Sequence, residues 1–212
     1  FDIHDYVPTR FIVSDPLWPM YSAPPVNAVP QLVGRLLALE TPLHVSIAGN
    51  IASGKRSLIA ELQRHGLPAI NEGVENFHSA LKEAYADPTK TFQLQVSICH
   101  TSRVRAATLR ANHPTGVIIT ERAQCDQPIF MVANEDKFSQ AEKDILEDLA
   151  TDRTWAAPQV ILLIDAHPGV CHQRVQRRNR EGEEGISLAY LEKLETLHRG
   201  LYGSLEIRRA FH

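Results

Sequence analysis

The sequence predicts an α/β fold in which a parallel sheet is covered by helices on both faces. Short apolar runs alternate along the chain with segments of helical periodicity, and this alternation is typical of parallel sheets. The run Val160–Ile164 contains only aliphatic residues, as expected of a strand buried on both faces. A chain of 212 residues can form one such domain with a substantial core. The predicted strands are Val45–Ala48, Leu67–Glu72, Val117–Thr120 and Val160–Asp165.

A glycine-bounded loop, a lysine and a helical segment follow the first predicted strand. This order is that of a P-loop, in which backbone N–H groups converge on phosphate oxygens. Glycine allows that close approach, and the helix start adds unpaired N–H groups and the positive end of its dipole. Lys55 would contact the outer phosphates. The predicted nucleotide-binding residues are Gly49, Asn50, Ile51, Ala52, Ser53, Gly54, Lys55, Arg56 and Ser57.

One position departs from the P-loop pattern. The residue after the lysine is usually Ser or Thr, whose hydroxyl joins the Mg²⁺ shell, but here it is Arg56. Three interpretations stay open: the metal is held mainly from elsewhere, Ser57 substitutes for the missing hydroxyl, or phosphate chemistry is weakened.

The intervals between the strands carry helical spacing or capping signals. Ser139 and Glu142 form a capping box, Asp87-Pro88 ends one helix and His167-Pro168 opens another. A fifth strand is predicted at 208–212. The predicted helices cover Leu58–Leu62, Val74–Ala86, Phe92–Leu109, Ser139–Leu149, a basic segment after Pro168, and Ile186–Leu201.

Residues 1–43 differ from the rest because seven prolines interrupt them. Dense proline blocks long helices and central strands, so we expect an extended arm with one short helix at Val33–Leu39. The interleaved Tyr6, Trp18 and Tyr21 favour docking of the arm over a disordered tail. The predicted organisation is therefore an arm over residues 1–43 and a P-loop domain over residues 44–212.

Composition excludes several classes of function. The formal net charge is −3, which does not indicate a nucleic-acid-binding surface. No apolar run reaches membrane-spanning length. The three cysteines are far apart and odd in number, which favours a reducing compartment over a disulfide framework or a zinc site. We therefore expect an intracellular protein, in the cytoplasm first, with a mitochondrion or a virus-infected cell as alternatives.

Polar residues follow three of the predicted strands: the P-loop, Glu72, and the pair Glu121-Arg122. The carboxyl ends of parallel strands meet at one edge of the sheet, where ligands bind. We expect these groups to converge there.

Four sequence blocks, in order, resemble the deoxyribonucleoside kinase family, which includes thymidine, deoxycytidine and deoxyguanosine kinases and viral and bacterial relatives. GNIASGK at 49–55 resembles the family's GNIGSGK, EGV at 72–74 resembles EPV, and ERA at 121–123 resembles ERS. The basic segment 174–183, followed by Tyr190-Leu191 and Leu197-His198, resembles the arginine-rich lid and its following helix. The resemblance covers Val45 to His198.

The resemblance implies a role for each matched residue. Glu72 matches the general base for the nucleoside 5′-hydroxyl, and Arg122 matches the arginine that binds the reacting oxygens. Glu121 matches a carboxylate that helps hold Mg²⁺. Ser57 would join it as a metal ligand if its hydroxyl substitutes for the one missing at Arg56. Tyr85 and Glu183 match the pair that binds the sugar 3′-hydroxyl. The lid arginines that would close over the ATP phosphates are Arg174, Arg178 and Arg180.

The base-binding residues are matched less closely. Gln95 fits the base-reading glutamine by motif, whereas ungapped counting from Tyr85 reaches Val96. Phe77 replaces a tryptophan beside the base. Gln127 falls where the family separates pyrimidine from purine, and it matches no familiar pattern. Gly73 and Ala123 replace the proline of EPV and the serine of ERS.

The leading hypothesis is an ATP- and Mg²⁺-dependent kinase that converts a deoxyribonucleoside to its 5′-monophosphate and forms a homodimer. One alternative is a catalytically weakened, kinase-like structural or regulatory subunit, which Arg56 and the arm motivate. The other is a thymidylate kinase-type nucleoside monophosphate kinase, against which the sugar-binding pair argues.

Overall fold

A computed structural model describes residues 10–13, 33–34, 42–151, 158 and 160–203. Five strands form a single parallel sheet with the order β1-β5-β2-β4-β3. The most apolar strand, β5, lies beside β2, the strand that leads into the P-loop. The predicted α/β class with a parallel sheet is confirmed. The strands are β1 Arg10–Val13, β2 Leu43–Gly49, β3 Ala69–Ile70, β4 Val117–Glu121 and β5 Val160–Ile164.

Seven α-helices accompany the sheet in the part of the chain that the structure describes; five lie between strands, and α6 and α7 follow β5. Six of them correspond to predicted helices, with ends that differ by a few residues. Ser139 N–H donates to Glu142 Oε2 at 2.8 Å, which confirms the capping box at the start of α5. No helix among these is long and apolar enough to cross a membrane. The helices are α1 Lys55–Arg64, α2 His78–Ala86, α3 Thr91–Asn112, α4 Gln127–Ala133, α5 Gln140–Thr151, α6 Pro168–Arg178 and α7 Leu188–Gly203.

Helices cover both faces of the sheet because alternate strand residues point to opposite sides. Val160 and Leu162 pack with α1 on one face. Ile161 and Leu163 pack on the other face with residues of α4, α6 and α7. The two apolar clusters leave the carboxyl ends of the strands uncovered for ligand binding.

The prediction for Leu67–Glu72 is too long, because only Ala69 and Ile70 pair with β4. The flanking polar groups bond elsewhere: Glu72 N–H donates to Glu121 Oε2, and Gly73 N–H donates to Asn71 Oδ1. The next predicted helix is also divided. Val74–Asn76 forms a 3₁₀ turn and Phe77, with φ −130°, separates it from α2.

The arm contributes a strand that the proline pattern did not indicate. Arg10–Val13 pairs in parallel with β5 at the edge of the sheet, a position that tolerates nearby proline because one side of the strand needs no partner. Of the predicted helix Val33–Leu39, residues 33 and 34 are helical; the remainder, like the predicted strand 208–212, lies outside the described residues. The domain boundary at residue 43 stays a prediction.

Gly49 offers a direct test of how β2 enters the P-loop. Its φ is 136°, and a Cβ built there would lie 2.6 Å from the carbonyl oxygen of Ile164. Gly49→Ala should therefore lower the free energy of unfolding by about 3 kcal/mol, from backbone strain and the clash together. Gly66→Ala is the matched control, since its φ is 80° but nothing lies within 4 Å; it should cost only about 1 kcal/mol. Equal losses in chemical denaturation would show that the approach of β5 does not require a glycine.

Candidate active site

A cavity of about 430 Å³ opens at the carboxyl ends of the strands. The P-loop, the ends of β3 and β4, and residues of α2, α3 and α4 line it, together with the segment between α6 and α7. This is the expected location for a ligand in an open parallel sheet, and the cavity is large enough for a small organic molecule. The sequence-predicted residues that line it are Ile51, Ala52, Lys55, Arg56, Glu72, Phe77, Tyr85, Gln95, Glu121, Arg122, Gln127, Arg178, Arg180 and Glu183.

Lys55 is buried inside the P-loop. Its ammonium donates to the carbonyl oxygens of Gly49 at 3.1 Å and Asn50 at 2.7 Å, and lies 4.0 Å from Glu121 Oε1. Burial, together with the neighbouring Arg122, lowers the pKa of Lys55 to about 8 against the opposing effect of nearby carboxylates. The loop thus holds a cation that is partly uncompensated and would gain from an anion.

Side chains outside the cavity hold the P-loop in place. Arg174 Nη1 donates to the carbonyl oxygens of Ser53 at 3.0 Å and Ala52 at 3.3 Å. Asn50 Nδ2 donates to Leu191 O at 2.8 Å, which ties the loop to α7. Arg174 does not line the cavity, and its guanidinium contacts the backbone of the loop. Its role as a lid arginine stays a prediction.

The two residues that could replace the missing P-loop hydroxyl have different positions. Arg56 is exposed and lines the cavity, whereas Ser57 is exposed and does not line it. Ser57 N–H donates to Gly54 O in the first turn of α1. The structure therefore does not bring Ser57 to the cavity, and the other two interpretations stay open.

Glu72, Glu121 and Arg122 meet at the ends of β3 and β4. Arg122 Nε lies 3.2 Å from Glu72 Oε1, while Glu121 Oε2 accepts the Glu72 N–H at 3.1 Å. Glu72 is 21% exposed and faces the cavity, but Arg122 is only 5% exposed. The predicted convergence of these strand ends and the P-loop on one cavity is therefore observed.

Arg122 adopts a backbone conformation that is unusual for a residue with a side chain. Its φ is 60°, in the left-handed region, and its guanidinium lies 4.5 Å above the ring of Phe130. Its Nη1 atom is buried and has no hydrogen-bond partner among the described residues. Because buried donors are normally paired, this N–H group is available for an acceptor in the cavity.

Gly73 departs from the family's proline for a conformational reason. Its φ is 71°, whereas a proline ring fixes φ near −65°. A Cβ would lie 2.8 Å from both Arg105 Nε and Asn76 Nδ2. The turn after Glu72 is therefore built around a glycine.

An aromatic ring and two amides also line the cavity. Phe77, Gln95 and Gln127 are all at least 95% buried. The Oε1 atoms of both glutamines have no hydrogen-bond partner among the described residues. Gln95 lines the cavity, whereas Val96 packs against Met131 in a separate apolar cluster, so the structure favours the assignment by motif.

The segment after α6 forms a closed ionic cluster. Glu183 is 5% exposed and accepts from Arg178 Nε at 2.6 Å and Arg180 Nη1 at 3.1 Å. Tyr85 lies across the same part of the cavity. The structure thus brings Tyr85 and Glu183 together as predicted, but it pairs the two arginines with Glu183.

Sequence reasoning missed several lining residues. Phe130 and Asn134 belong to α4 or follow it, and this helix was not predicted because its seven residues include Pro128 and show no clear periodicity. Asn134 Nδ2 bonds the hydroxyl of Tyr190 at 3.0 Å, closing the wall between α4 and α7. Tyr190 lies in the pair Tyr190-Leu191, which resembles the family sequence after the lid. That resemblance was the signal from which its place near the cavity could have been predicted.

A family model described as deoxynucleoside kinase matches residues 45–207. The chain belongs to the deoxynucleoside kinase family. It is 28% identical to the Fowlpox virus protein "Probable deoxycytidine kinase FPV151", over 76% of this chain and 72% of the viral protein. It is also 28% identical to deoxycytidine kinase 2 of Gallus gallus, over 73% of this chain and 71% of that protein.

Solved structures confirm the fold of this deoxynucleoside kinase. A deoxyadenosine kinase from M. mycoides, solved with the products dCMP and dCDP bound, has a TM-score of 0.67 at 20% identity. The match covers 80% of this chain and 88% of the other. A second structure of that enzyme, with dATP bound, has a TM-score of 0.63 over 76% of this chain and 84% of the other, at 22% identity.

The P-loop of this family member carries strain at Ala52, where the family motif has glycine. Its φ is 59°, which costs a residue with a Cβ about 1–2 kcal/mol. Glycine removes this strain but also makes the unfolded chain more flexible, which offsets part of the gain. Ala52→Gly should therefore raise the free energy of unfolding by about 0.5–1 kcal/mol. Ala60→Gly in α1 is the control and should lower it by about 1 kcal/mol. A loss of stability in both variants would contradict the strained loop.

Proposed function

We propose that the protein transfers the terminal phosphoryl group of ATP to the 5′-hydroxyl of a deoxyribonucleoside, giving the 5′-monophosphate for nucleotide salvage. One observation carries this proposal: one cavity is lined by a P-loop lysine, a carboxylate and an arginine whose Nη1 has no partner among the described residues, and also by two amides and an aromatic ring. The first group suits phosphoryl transfer, and the second suits a nucleobase.

The donor would bind along the P-loop. Lys55 now contacts two loop carbonyl oxygens, and a bound phosphate would replace those neutral partners with charged ones. Glu121 would hold Mg²⁺, which usually takes one or two carboxylates together with substrate phosphates and water. When bound, the metal neutralises phosphate charge. Among the described residues no group of three or more His, Cys, Asp or Glu side chains could hold a metal ion. We therefore propose that one carboxylate and the substrate phosphates would bind Mg²⁺ together.

The acceptor would bind with its 5′-hydroxyl between Glu72 and Arg122. Glu72 would accept the hydroxyl proton as the oxygen attacks, and Arg122 would stabilise the charge on the transferring oxygens through its free Nη1. The 3.2 Å contact between the two side chains would keep both beside the 5′-oxygen and the phosphoryl group that it attacks.

The nucleoside itself would extend toward Phe77 and the two glutamines. An amide presents one donor group and one acceptor, so Gln95 can bond the Watson–Crick edge of a base in two positions at once. Gln127 adds a second neutral amide instead of a charge. Tyr85 and Glu183 would bind the 3′-hydroxyl.

The lid would exchange partners during the reaction. Arg178 and Arg180 neutralise Glu183 in the structure, so their contact with ATP phosphates requires the segment to move inward. Closure would then place the arginines on the donor and leave a carboxylate oxygen of Glu183 for the sugar, while water is excluded from the transfer. The proposal also includes that the protein forms a homodimer and works in a reducing compartment.

The experiment that tests this function is a panel of each deoxynucleoside and dTMP with labelled ATP and Mg²⁺. Formation of a deoxynucleoside monophosphate supports the proposal, whereas formation of dTDP alone would support a monophosphate kinase. No labelled product from any acceptor would support the structural or regulatory subunit. Arg56→Thr restores the usual hydroxyl, and activity gained only in that variant would identify Arg56 as the cause.

Glu72→Gln should reduce kcat by about 10²–10⁴-fold, because the amide cannot take the 5′-hydroxyl proton. Nucleoside binding, measured by calorimetry, should stay nearly unchanged since the shape and the contact with Arg122 are preserved. Glu83→Gln, at an exposed glutamate on α2 that does not line the cavity, is the control. Near-normal turnover of Glu72→Gln would remove this residue from the mechanism.

Glu183→Ala should lower kcat/KM for deoxynucleosides about 10–150-fold more than for their 3′-deoxy analogues, which have no hydroxyl to lose. Release of the two arginines affects both substrate types equally, so the ratio isolates the sugar contact. Glu184→Ala changes the adjacent exposed glutamate and should leave the ratio unaltered. Equal losses for both types would show that Glu183 does not contact the sugar.

The affinity for ADP should fall as the pH rises through the pKa of Lys55. That pKa is lowered to about 8 in the free protein, and a bound phosphate raises it, so binding takes up a proton at higher pH. The dissociation constant should therefore increase about tenfold from pH 7 to pH 9. In Lys55→Met the affinity should be weak and independent of pH over this range; the same slope in that variant would assign the titration to another group.

A further inference from the structure

A buried polar network lies directly behind the turn that carries Arg122. Asp126 is fully buried and Tyr202, on α7, is 1% exposed. The hydroxyl of Tyr202 donates to Asp126 Oδ1 at 2.8 Å, and the Ala123 N–H donates to Asp126 Oδ2 at 2.8 Å. One carboxylate therefore joins the last helix of the described chain to the peptide that follows Arg122.

That peptide needs to be held. The left-handed φ of Arg122 costs about 1–2 kcal/mol, and such strain persists only when the surroundings enforce it. Arg122 N–H donates to Ile47 O at 2.9 Å, which fixes the peptide before Arg122 to β2. Asp126 fixes the peptide after it. The two bonds together determine the direction in which the side chain leaves the backbone.

We infer that Asp126 and Tyr202 are positioning residues that hold Arg122 in its reactive orientation. This inference rests on the proposed role of Arg122 in phosphoryl transfer. Neither residue lines the cavity, so each acts through the turn and not on the substrate. Burial raises the pKa of Asp126, and Arg122 opposes that shift, which agrees with a carboxylate enclosed in protein beside a compensating cation.

The two side chains act as one unit because of their hydrogen-bonding capacity. A carboxylate offers a separate oxygen to each donor, the Tyr202 hydroxyl and the Ala123 N–H. An asparagine keeps one oxygen and carries an NH₂ group in place of the other, so Asp126→Asn loses one of these accepted bonds and the charge that strengthens both. When Tyr202→Phe removes the hydroxyl, the asparagine oxygen is free to serve Ala123.

A double-mutant cycle tests this unit. Tyr202→Phe and Asp126→Asn should each lower kcat about tenfold, since a small misplacement of a group that positions the substrate costs up to about 10²-fold. KM for the nucleoside and the dissociation constant for ADP should change less than about twofold, as the base and phosphate contacts remain. The double variant should be no slower than Asp126→Asn alone. Unchanged kcat in both single variants, or losses that multiply in the double variant, would overturn the inference.

Leu201→Ala provides the control for loss of stability. Leu201 is 1% exposed on α7 beside Tyr202 and has no polar group, so its removal should lower the unfolding temperature without lowering kcat. All rates are measured well below the unfolding temperature of each variant. An equal loss of kcat in Leu201→Ala would mean that packing of α7, not the hydrogen bonds, positions the turn.

Crystal structures of the same variants give a readout that needs no activity. The guanidinium of Arg122 should shift away from Glu72 in Tyr202→Phe and Asp126→Asn, and should keep its place in Leu201→Ala. An unmoved Arg122 in both polar variants would overturn the inference. The proposed function would fail separately, if the unmutated protein transferred no phosphate. In that case the position of Arg122 in these crystal structures still tests the positioning role.

Discussion

Two buried cations and three carboxylates at one edge of the sheet hold the rest of the site in place. Lys55 and Arg122 are 4% and 5% exposed, and isolated charges at such depth would cost several kcal/mol each. Glu72, Glu121 and Asp126 compensate them. Because Arg122 Nη1 nevertheless has no partner among the described residues, compensation is incomplete in a way that favours a further negative group. The cavity, the strand ends and the P-loop are arranged around this charge balance.

Backbone strain accompanies the charges. Ala52 and Arg122 adopt left-handed conformations that side chains disfavour, and Gly73 occupies the same region in the turn between Glu72 and α2. Each lies in a loop at the end of a parallel strand, where a rigid sheet positions the loop ends, and each lines the cavity. The strain is maintained by bonds from distant elements, such as Arg174 to the P-loop and Asp126 to the Arg122 turn. The geometry of the proposed site therefore depends on α6 and α7 as well as on the strands.

The sequence predicted the local features well. Aliphatic runs, glycines and capping residues identified β2, β4, β5 and six helices, because each is determined by neighbours in the chain. The strand Arg10–Val13 was missed since its pairing with β5 is a contact across 150 residues. The link between Asp126 and Tyr202 spans 76 residues and has no motif. Arg56 lines the cavity and Ser57 does not, and this difference depends on the direction in which α1 begins, which the motif does not give.

The most direct test of the account is the position of a bound deoxynucleoside in a crystal structure that also contains ADP. The account predicts a 5′-oxygen within hydrogen-bond distance, about 3 Å, of both Glu72 and Arg122 Nη1. It also predicts the base against Phe77 and Gln95. A nucleoside bound with its 5′-oxygen directed away from the P-loop, or with Arg122 Nη1 still unpaired, would contradict it.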